Sequence, residues 1–503
     1  MDEVESTKLP KSEVCAMGVA GLDLVLRGGL PRNRVYLVQG EPGTGKTTLA
    51  MQFLMEGARR GEQGLYITFS ETREELEEVG LSHDWSLDRI ALLELSSIEQ
   101  QLKPEAQNTV FHPAEVEMNQ TTQLLIQEVE KVKPSRIVFD SVSELRMLAE
   151  TSLRYRRQML ALKQFFSGRK STVLLLDDLT ASPDDLQVQS IVHGVLNLQK
   201  THPEFGNECR RMNVVKLRGV DFVGGFHDYT IEHGGLKVYP RIAAMEVARR
   251  QPSNCVSSGL PALDALLGGG LDRGTSNLFM GPAGTGKSTL AIQYAVASAE
   301  RGEHVSVFEF EESMNTLLNR TMGLGMDLEK YVRDGTMDIQ KIDPAQLSPG
   351  EFSHLIRKSV LEKNTRMIII DSLNGYLHAM PQEEFLTLQL HELFAFLAGQ
   401  GVVTLMVLAQ QGLMGVTMTT PIDLTYLADT VIITRYFEAV GAVKKAVSVV
   451  KKRGGKHETT IREFSMGSGG VVVGNALSQF HGVLSGIPTY VGQNASMLGE
   501  PSG

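Results

Sequence analysis

Gly40-Glu-Pro-Gly-Thr-Gly-Lys-Thr47 and Gly281-Pro-Ala-Gly-Thr-Gly-Lys-Ser288 repeat one pattern, GxxxxGK followed by a hydroxyl residue. Each follows an apolar stretch of strand character, Val35-Tyr-Leu-Val38 or Ser276-Asn-Leu-Phe-Met280, and each leads into a helix-forming run. Strand, glycine loop, helix is the setting of a P-loop. The glycines let successive backbone N–H groups turn inward at a helix N-terminus, where they cradle phosphate oxygens. Lys46 and Lys287 would reach the β- and γ-phosphates, and Thr47 and Ser288 would offer hydroxyls to Mg2+. Gly43, Thr44, Gly45 and Thr48 complete the first cradle, and Gly284, Thr285, Gly286 and Thr289 the second.

The repetition reaches beyond the loops. Arg27-Gly-Gly-Leu30 precedes the first strand and Gly268-Gly-Gly-Leu271 the other. Lys46 and Lys287 lie 241 positions apart, Asp140 and Asp371 lie 231 apart, and Lys216-Leu-Arg-Gly219 and Lys451-Lys-Arg-Gly454 lie 235 apart. Landmarks in one order at a near-constant offset mark a whole-domain duplication, not a solenoid, whose repeats run roughly 20–50 residues. The polar stretch 243–256, broken at Pro252, sets the expected boundary between domains 1–247 and 248–503.

The chain has 503 residues, 42% hydrophobic and 21% charged, an ordinary globular balance for more than one core at about 150 residues each. No uncharged apolar run reaches the roughly 18 residues of a membrane span, and the N-terminus lacks a secretory apolar stretch. Three scattered cysteines disfavour a disulfide framework and fit a reducing cytoplasm. A net charge of −10 disfavours nucleic acid as a constitutive partner.

Strands and helices alternate in each half. The first reads as strands 35–38, 64–69, 136–139 and 172–176, with helices over 48–60, 73–79, 121–132 and 153–166 and a closing antiparallel hairpin, 212–217 with 227–231, at the sheet edge. The second reads as strands 305–310, 367–370, 403–408, 431–436 and 447–451. Continuous apolar strands predict a mostly parallel twisted sheet with helices on both faces. The fold class is α/β, two tandem RecA-like P-loop domains.

Asp140 and Asp371 each end a buried strand and precede serine, the Walker B position beside Mg2+. An aspartate there is also a common turn former; its order after a P-loop, twice, favours the metal role. Glu71 and the pair Glu311-Glu312 follow the next strand, where a carboxylate facing the γ-phosphate would orient or deprotonate an attacking group. Lys216 and Arg218, like Lys451 and Arg453, alternate in a strand, so both members of each pair should share a face. In RecA-like rings such cations reach a neighbouring subunit's γ-phosphate, whereas on a solvated edge strand they only deter aggregation.

Together with Leu413-Met-Gly-Val-Thr417, the strand Asp429-Thr-Val-Ile-Ile433, His457 and Ile461-Arg-Glu-Phe464, these residues resemble the KaiC family from about Gly18 to Thr489. The resemblance implies a homohexamer in two stacked rings, with ATP at subunit interfaces and a KaiB-like or other signalling protein as partner. It implies slow ATP hydrolysis in the N-terminal ring and serine/threonine autokinase and autophosphatase chemistry in the C-terminal one. Thr425 and Tyr426 would then be the phospho-acceptors, with Thr420 matching a third threonine.

Three departures from the family pattern stand out. Thr425-Tyr426 replaces an adjacent Ser-Thr pair, Ser70 replaces one of two acids in the first half, and only 14 residues follow Thr489, fewer than the tail on which the clock protein's regulator binds. The first half therefore suits assembly and slow hydrolysis, and the second phosphoryl transfer. A nucleotide-dependent signalling scaffold and a DNA-acting RecA-like ATPase are the alternatives.

Overall fold

The computed structural model describes residues 13–95, 113–149, 151–179, 187–202, 206–242, 254–379, 386–410, 412, 424–439 and 441–491. The chain divides into two compact units, Met1–Arg241 and Ile242–Gly503.

In the first unit the sheet strands are β1 (Val35–Gly40), β2 (Gly64–Thr68), β3 (Ile90–Glu94), β4 (Arg136–Asp140), β5 (Thr172–Asp177), β6 (Gly194–Thr201), β7 (Cys209–Leu217), β8 (Phe226–Glu232) and β9 (Gly235–Tyr239). Their order is β9-β8-β7-β6-β1-β5-β4-β2-β3, parallel from β6 to β3 and antiparallel from β6 to β9. The second unit has β10 (Ser276–Gly281), β11 (Val305–Glu309), β12 (Met337–Lys341), β13 (Met367–Asp371), β14 (Val403–Ala409), β15 (Thr430–Ala439), β16 (Ala442–Lys452), β17 (Arg462–Gly467) and β18 (Gly470–Ala476). Its order, β18-β17-β16-β15-β10-β14-β13-β11-β12, repeats the first with every strand nine higher.

Period-2 alternation explains why both faces are dry. In β1, Tyr36 and Val38 join one core with Leu49 and Phe53 of the following helix, while Val35 and Leu37 join the core on the other face with Leu125 and Tyr155. The second sheet divides in the same way, Phe279 on one side and Leu278 and Met280 on the other.

Several elements differ from expectation. The 212–217/227–231 hairpin is not the edge: β6 lies inside it and β9 outside. The strands β3, β6, β9, β12, β17 and β18 are additional, and β6 (Gly-Val-Leu-Asn-Leu-Gln-Lys-Thr) carries too few apolar positions to announce a strand. The helix expected from residue 121 begins at Pro113, proline being compatible with a first turn.

Both sheets carry one irregularity at the same place. Val195 faces Lys216 but Leu196 faces Val214; Val431 faces Lys451 but Ile432 faces Val449. The residues passed over, Val215 and Val450, are equivalent, and both are exposed.

Candidate nucleotide sites and their carboxylates

Each glycine loop joins its central strand to a helix, α1 (Lys46–Arg59) or α2 (Lys287–Glu300). Gly45 and Gly286 hold left-handed φ angles of 90° and 100° directly before the helix, a conformation natural to glycine. The Thr44 and Thr285 hydroxyls each donate to a loop carbonyl at 2.8 Å, Glu41 and Pro282 respectively. Helix N-termini with inward N–H groups thus stand at both loops, the geometry that receives phosphate.

Strand order brings the remaining groups to these loops. β5 separates β1 from β4, and β14 separates β10 from β13, so the strand tips carrying Asp140 and Asp371 lie near their own loops. The Thr47 hydroxyl donates to Asp140 Oδ2 at 3.2 Å, and the Ser288 hydroxyl to Asp371 Oδ1 at 3.0 Å. The peptide bond after each aspartate is cis. A hydroxyl and a carboxylate converging beside a phosphate cradle fit Mg2+, which takes few protein ligands besides phosphate oxygens and water. Burial raises both aspartates; Asp371 reaches about 6, against the lowering effects of Ser288 and Arg320. Asp140 also accepts from the Tyr66 phenol at 2.5 Å, whereas valine stands at the corresponding position 307.

The loops bearing the predicted catalytic acids differ between halves. In the first, Thr72 caps the helix Arg73–Ser82 in a capping box with Glu75, which fixes Glu71 just ahead of it. The Thr68 hydroxyl accepts from Glu71 N at 2.9 Å. Glu71 Oε2 is buried without a hydrogen-bond partner among the described residues. Burial first, then the charges of Asp140, Glu75 and Asp178, push its carboxyl up to about 7.

In the second half Glu309 occupies the Thr68 position, and its Oε1 accepts from Glu311 N at 3.2 Å and Glu312 N at 2.8 Å. Burial pushes Glu309 up to about 7, with Asp371 adding to the rise. Glu311 accepts from the Ser372 hydroxyl, and Glu312 is gripped by Arg320. Sequence reading passed over Glu309, Arg320, Tyr66 and Asp178. Glu309 alone carried a signal there, as a third acid two residues before a noted pair.

Of the downstream cations only the lysines lie within strands: β7 stops at Leu217 and β16 at Lys452, one residue short of each arginine. Lys216 Nζ donates to Gln189 O at 2.6 Å and Arg218 Nη2 to Ser190 O at 3.1 Å. Lys451 Nζ donates to Thr425 O at 2.8 Å and Arg453 Nη2 to Tyr426 O at 2.8 Å. The same two braces therefore recur, and in the second half they hold the Thr425–Tyr426 turn, whose tyrosine is exposed. Arg453 also pairs with Asp429 at 3.1 Å. At the matching position of the first half stands His193, held near pKa 4 chiefly by burial, so Arg218 has no carboxylate there. Thr420 and the 413–417 segment lie outside the described residues.

Among the described residues no helix is long and apolar enough to cross a membrane. A family model described as "ATPase: KaiC" matches residues 15–243 and again 256–478. The chain is 27% identical to "Circadian clock oscillator protein KaiC" of Parathermosynechococcus lividus, over 97% of this chain and 90% of that protein. It is 25% identical to "Circadian clock protein KaiC3" of Synechocystis sp., over 95% of each. With the protein called "Circadian clock oscillator protein KaiC" in Synechococcus elongatus it shares 26%, over 94% of this chain and 91% of the other. Two matches of the family model, in register with two copies of one sheet and one phosphate cradle, place this chain in the KaiC family of ATPases.

Proposed function

We propose that the chain forms a homohexameric ring with ATP bound between subunits, hydrolyses ATP in its first half, and transfers the γ-phosphoryl group to its own hydroxyl side chains in its second. The nucleotide would sit on Gly43–Thr48 and Gly284–Thr289. Mg2+, held by Thr47 with Asp140 and by Ser288 with Asp371, would neutralise phosphate charge. Lys216, Arg218, Lys451 and Arg453 would serve a neighbour's nucleotide. The exposed Val215 and Val450 support an interface there, since each lies beside one of these cations.

One observation carries the kinase reading. Only the second half gathers Glu309, Glu311 and Glu312 on one loop, and only there do the braced cations hold a turn bearing two hydroxyl side chains. In the transfer, the Thr425 hydroxyl oxygen bonds to the γ-phosphorus, the bond to the β–γ bridging oxygen breaks, ADP leaves, and Glu311 or Glu312 of the facing subunit takes the hydroxyl proton. Tyr426 places its oxygen farther from the backbone and is the second candidate. Regulation of a circadian kind follows the relatives' names, while a cytoplasmic setting and a KaiB-like or other signalling partner are what the family resemblance implies.

Incubation with Mg-ATP and phosphosite mapping by mass spectrometry tests this; phosphate is expected on Thr425. Both P-loops occupied with no phosphate on Thr425, Tyr426 or Thr420 sinks the kinase claim. Sizing with ATP, with ADP and without nucleotide should give a ring in ATP, and a monomer throughout sinks the assembly claim.

The ion pair of Glu312 with Arg320 favours a second reading, a nucleotide-dependent signalling scaffold, because a neutralised acid is a poor base. Assembly in ATP with no turnover by the second half would select it.

A further inference from the structure

The lysine of the first P-loop already holds an anion. Lys46 is buried, and its Nζ donates to Gly40 O at 2.8 Å and Glu41 O at 3.1 Å. It also meets Asp178 Oδ1 at 2.8 Å, with 7% of the lysine side chain and 32% of the aspartate side chain exposed. Asp178 directly follows β5, the strand between the P-loop strand and the Asp140 strand.

The local structure aims this carboxylate at the loop. The side chain of the preceding Asp177 is tied down by Gln39 at 3.3 Å, Ser143 at 3.2 Å and Arg146 at 3.1 Å. Asp178 N donates to the Ser143 hydroxyl at 3.2 Å, which fixes the backbone at the strand tip. The second half keeps that support without the charge. Ala409 stands at the corresponding place, its N–H donating to Asn374 Oδ1 at 2.6 Å. Lys287 there donates to Pro282 O at 2.7 Å.

We infer that Asp178 is an affinity-setting residue of the first P-loop, occupying on Lys46 the place of a γ-phosphate. This rests on the proposed reading of the P-loops as nucleotide sites. A P-loop lysine serves both β- and γ-phosphates. A bound triphosphate must displace Asp178 and leave it beside Asp140, Glu71 and the γ-phosphate. A diphosphate leaves the γ position open, and Asp178 keeps its hold on the lysine. The first half is thereby biased toward ADP, and the second half lacks this bias.

The test uses the full chain with the second P-loop silenced by Lys287→Ala, and fluorescent ATP and ADP analogues with Mg2+. Asp178→Asn is expected to tighten ATP about tenfold and to leave ADP unchanged or weaker. Asp178→Ala, which copies the second half's own residue, should do the same. The reciprocal Ala409→Asp, in a Lys46→Ala chain, should loosen ATP at the second half and spare ADP. Equal tightening of ATP and ADP would mean simple removal of charge and overturns the inference, as does ATP binding that ignores all three substitutions. Failure of the Lys287→Ala chain to bind either nucleotide, with or without Asp178, overturns the nucleotide-site reading and the inference together.

Discussion

Arg320 grips both oxygens of Glu312, Nε to Oε1 at 3.0 Å and Nη2 to Oε2 at 2.7 Å, while its Nη1 reaches the Thr289 hydroxyl at 3.0 Å. The corresponding residue of the first half is Val79. A guanidinium fork fixes a carboxylate in plane and direction, so Arg320 ties the loop bearing Glu311 and Glu312 to the helix that starts at the P-loop. With the pair partly exposed, Arg320→Met should cost about 1 kcal/mol of stability, read from urea unfolding. In a Lys46→Ala chain it should lower second-half turnover roughly tenfold, with Arg320→Lys only partly restoring it, since a lysine is a point charge. Unchanged turnover would remove Arg320 from the positioning role.

Glu71 gives the first half a pH signature. Its carboxyl, pushed up to about 7, must be ionised to take a proton from attacking water. In a Lys287→Ala chain, ATP hydrolysis should be near maximal above pH 8 and fall about tenfold per pH unit well below 7. Glu71→Gln should leave a low rate without this acid limb. A rate that stays level down to pH 5.5 would exclude Glu71 as the base.

Arg136 should matter for stability. Its side chain is fully buried at the start of β4; Nε meets Glu62 at 2.5 Å, and Nη1 donates to Ala16 O and Phe53 O, both at 2.7 Å. Burial alone would raise Glu62, and the hydrogen bonds of Arg136 and Arg32 overcome it and hold the carboxyl below its ordinary range. Arg136→Met strands two carbonyls and leaves Glu62 to Arg32, so a loss of about 3 kcal/mol is expected by thermal or urea unfolding.

Much of this was legible in the sequence, because the decisive groups are local. The P-loops, Asp140, Asp371, Glu71, Glu311 and Glu312 are each set by a few neighbouring residues at the end of a strong apolar run. Asp178 and Arg320 were not legible for the opposite reason. Asp178 comes from a strand tip across the sheet, and only sheet order brings it to its loop; Arg320 lies about two turns along the helix that follows Glu312, and only the fold of that helix turns it back onto the loop. The strand β6 was missed because a mixed stretch, apolar mainly at Val195, Leu196 and Leu198, becomes a strand through pairing with β1 and β7.

The extra residue in the ladder, Val215 in one half and Val450 in the other, dates events in the history of the chain. An inserted residue moves every side chain beyond it to the opposite face of a strand, so it decides on which side Lys216 and Lys451 stand. Two halves with the same insertion at the same position inherited it from a single-copy ancestor. The face bearing those cations was therefore set before the gene doubled. On that shared frame the halves differ at Thr68 for Glu309, Val79 for Arg320 and Asp178 for Ala409.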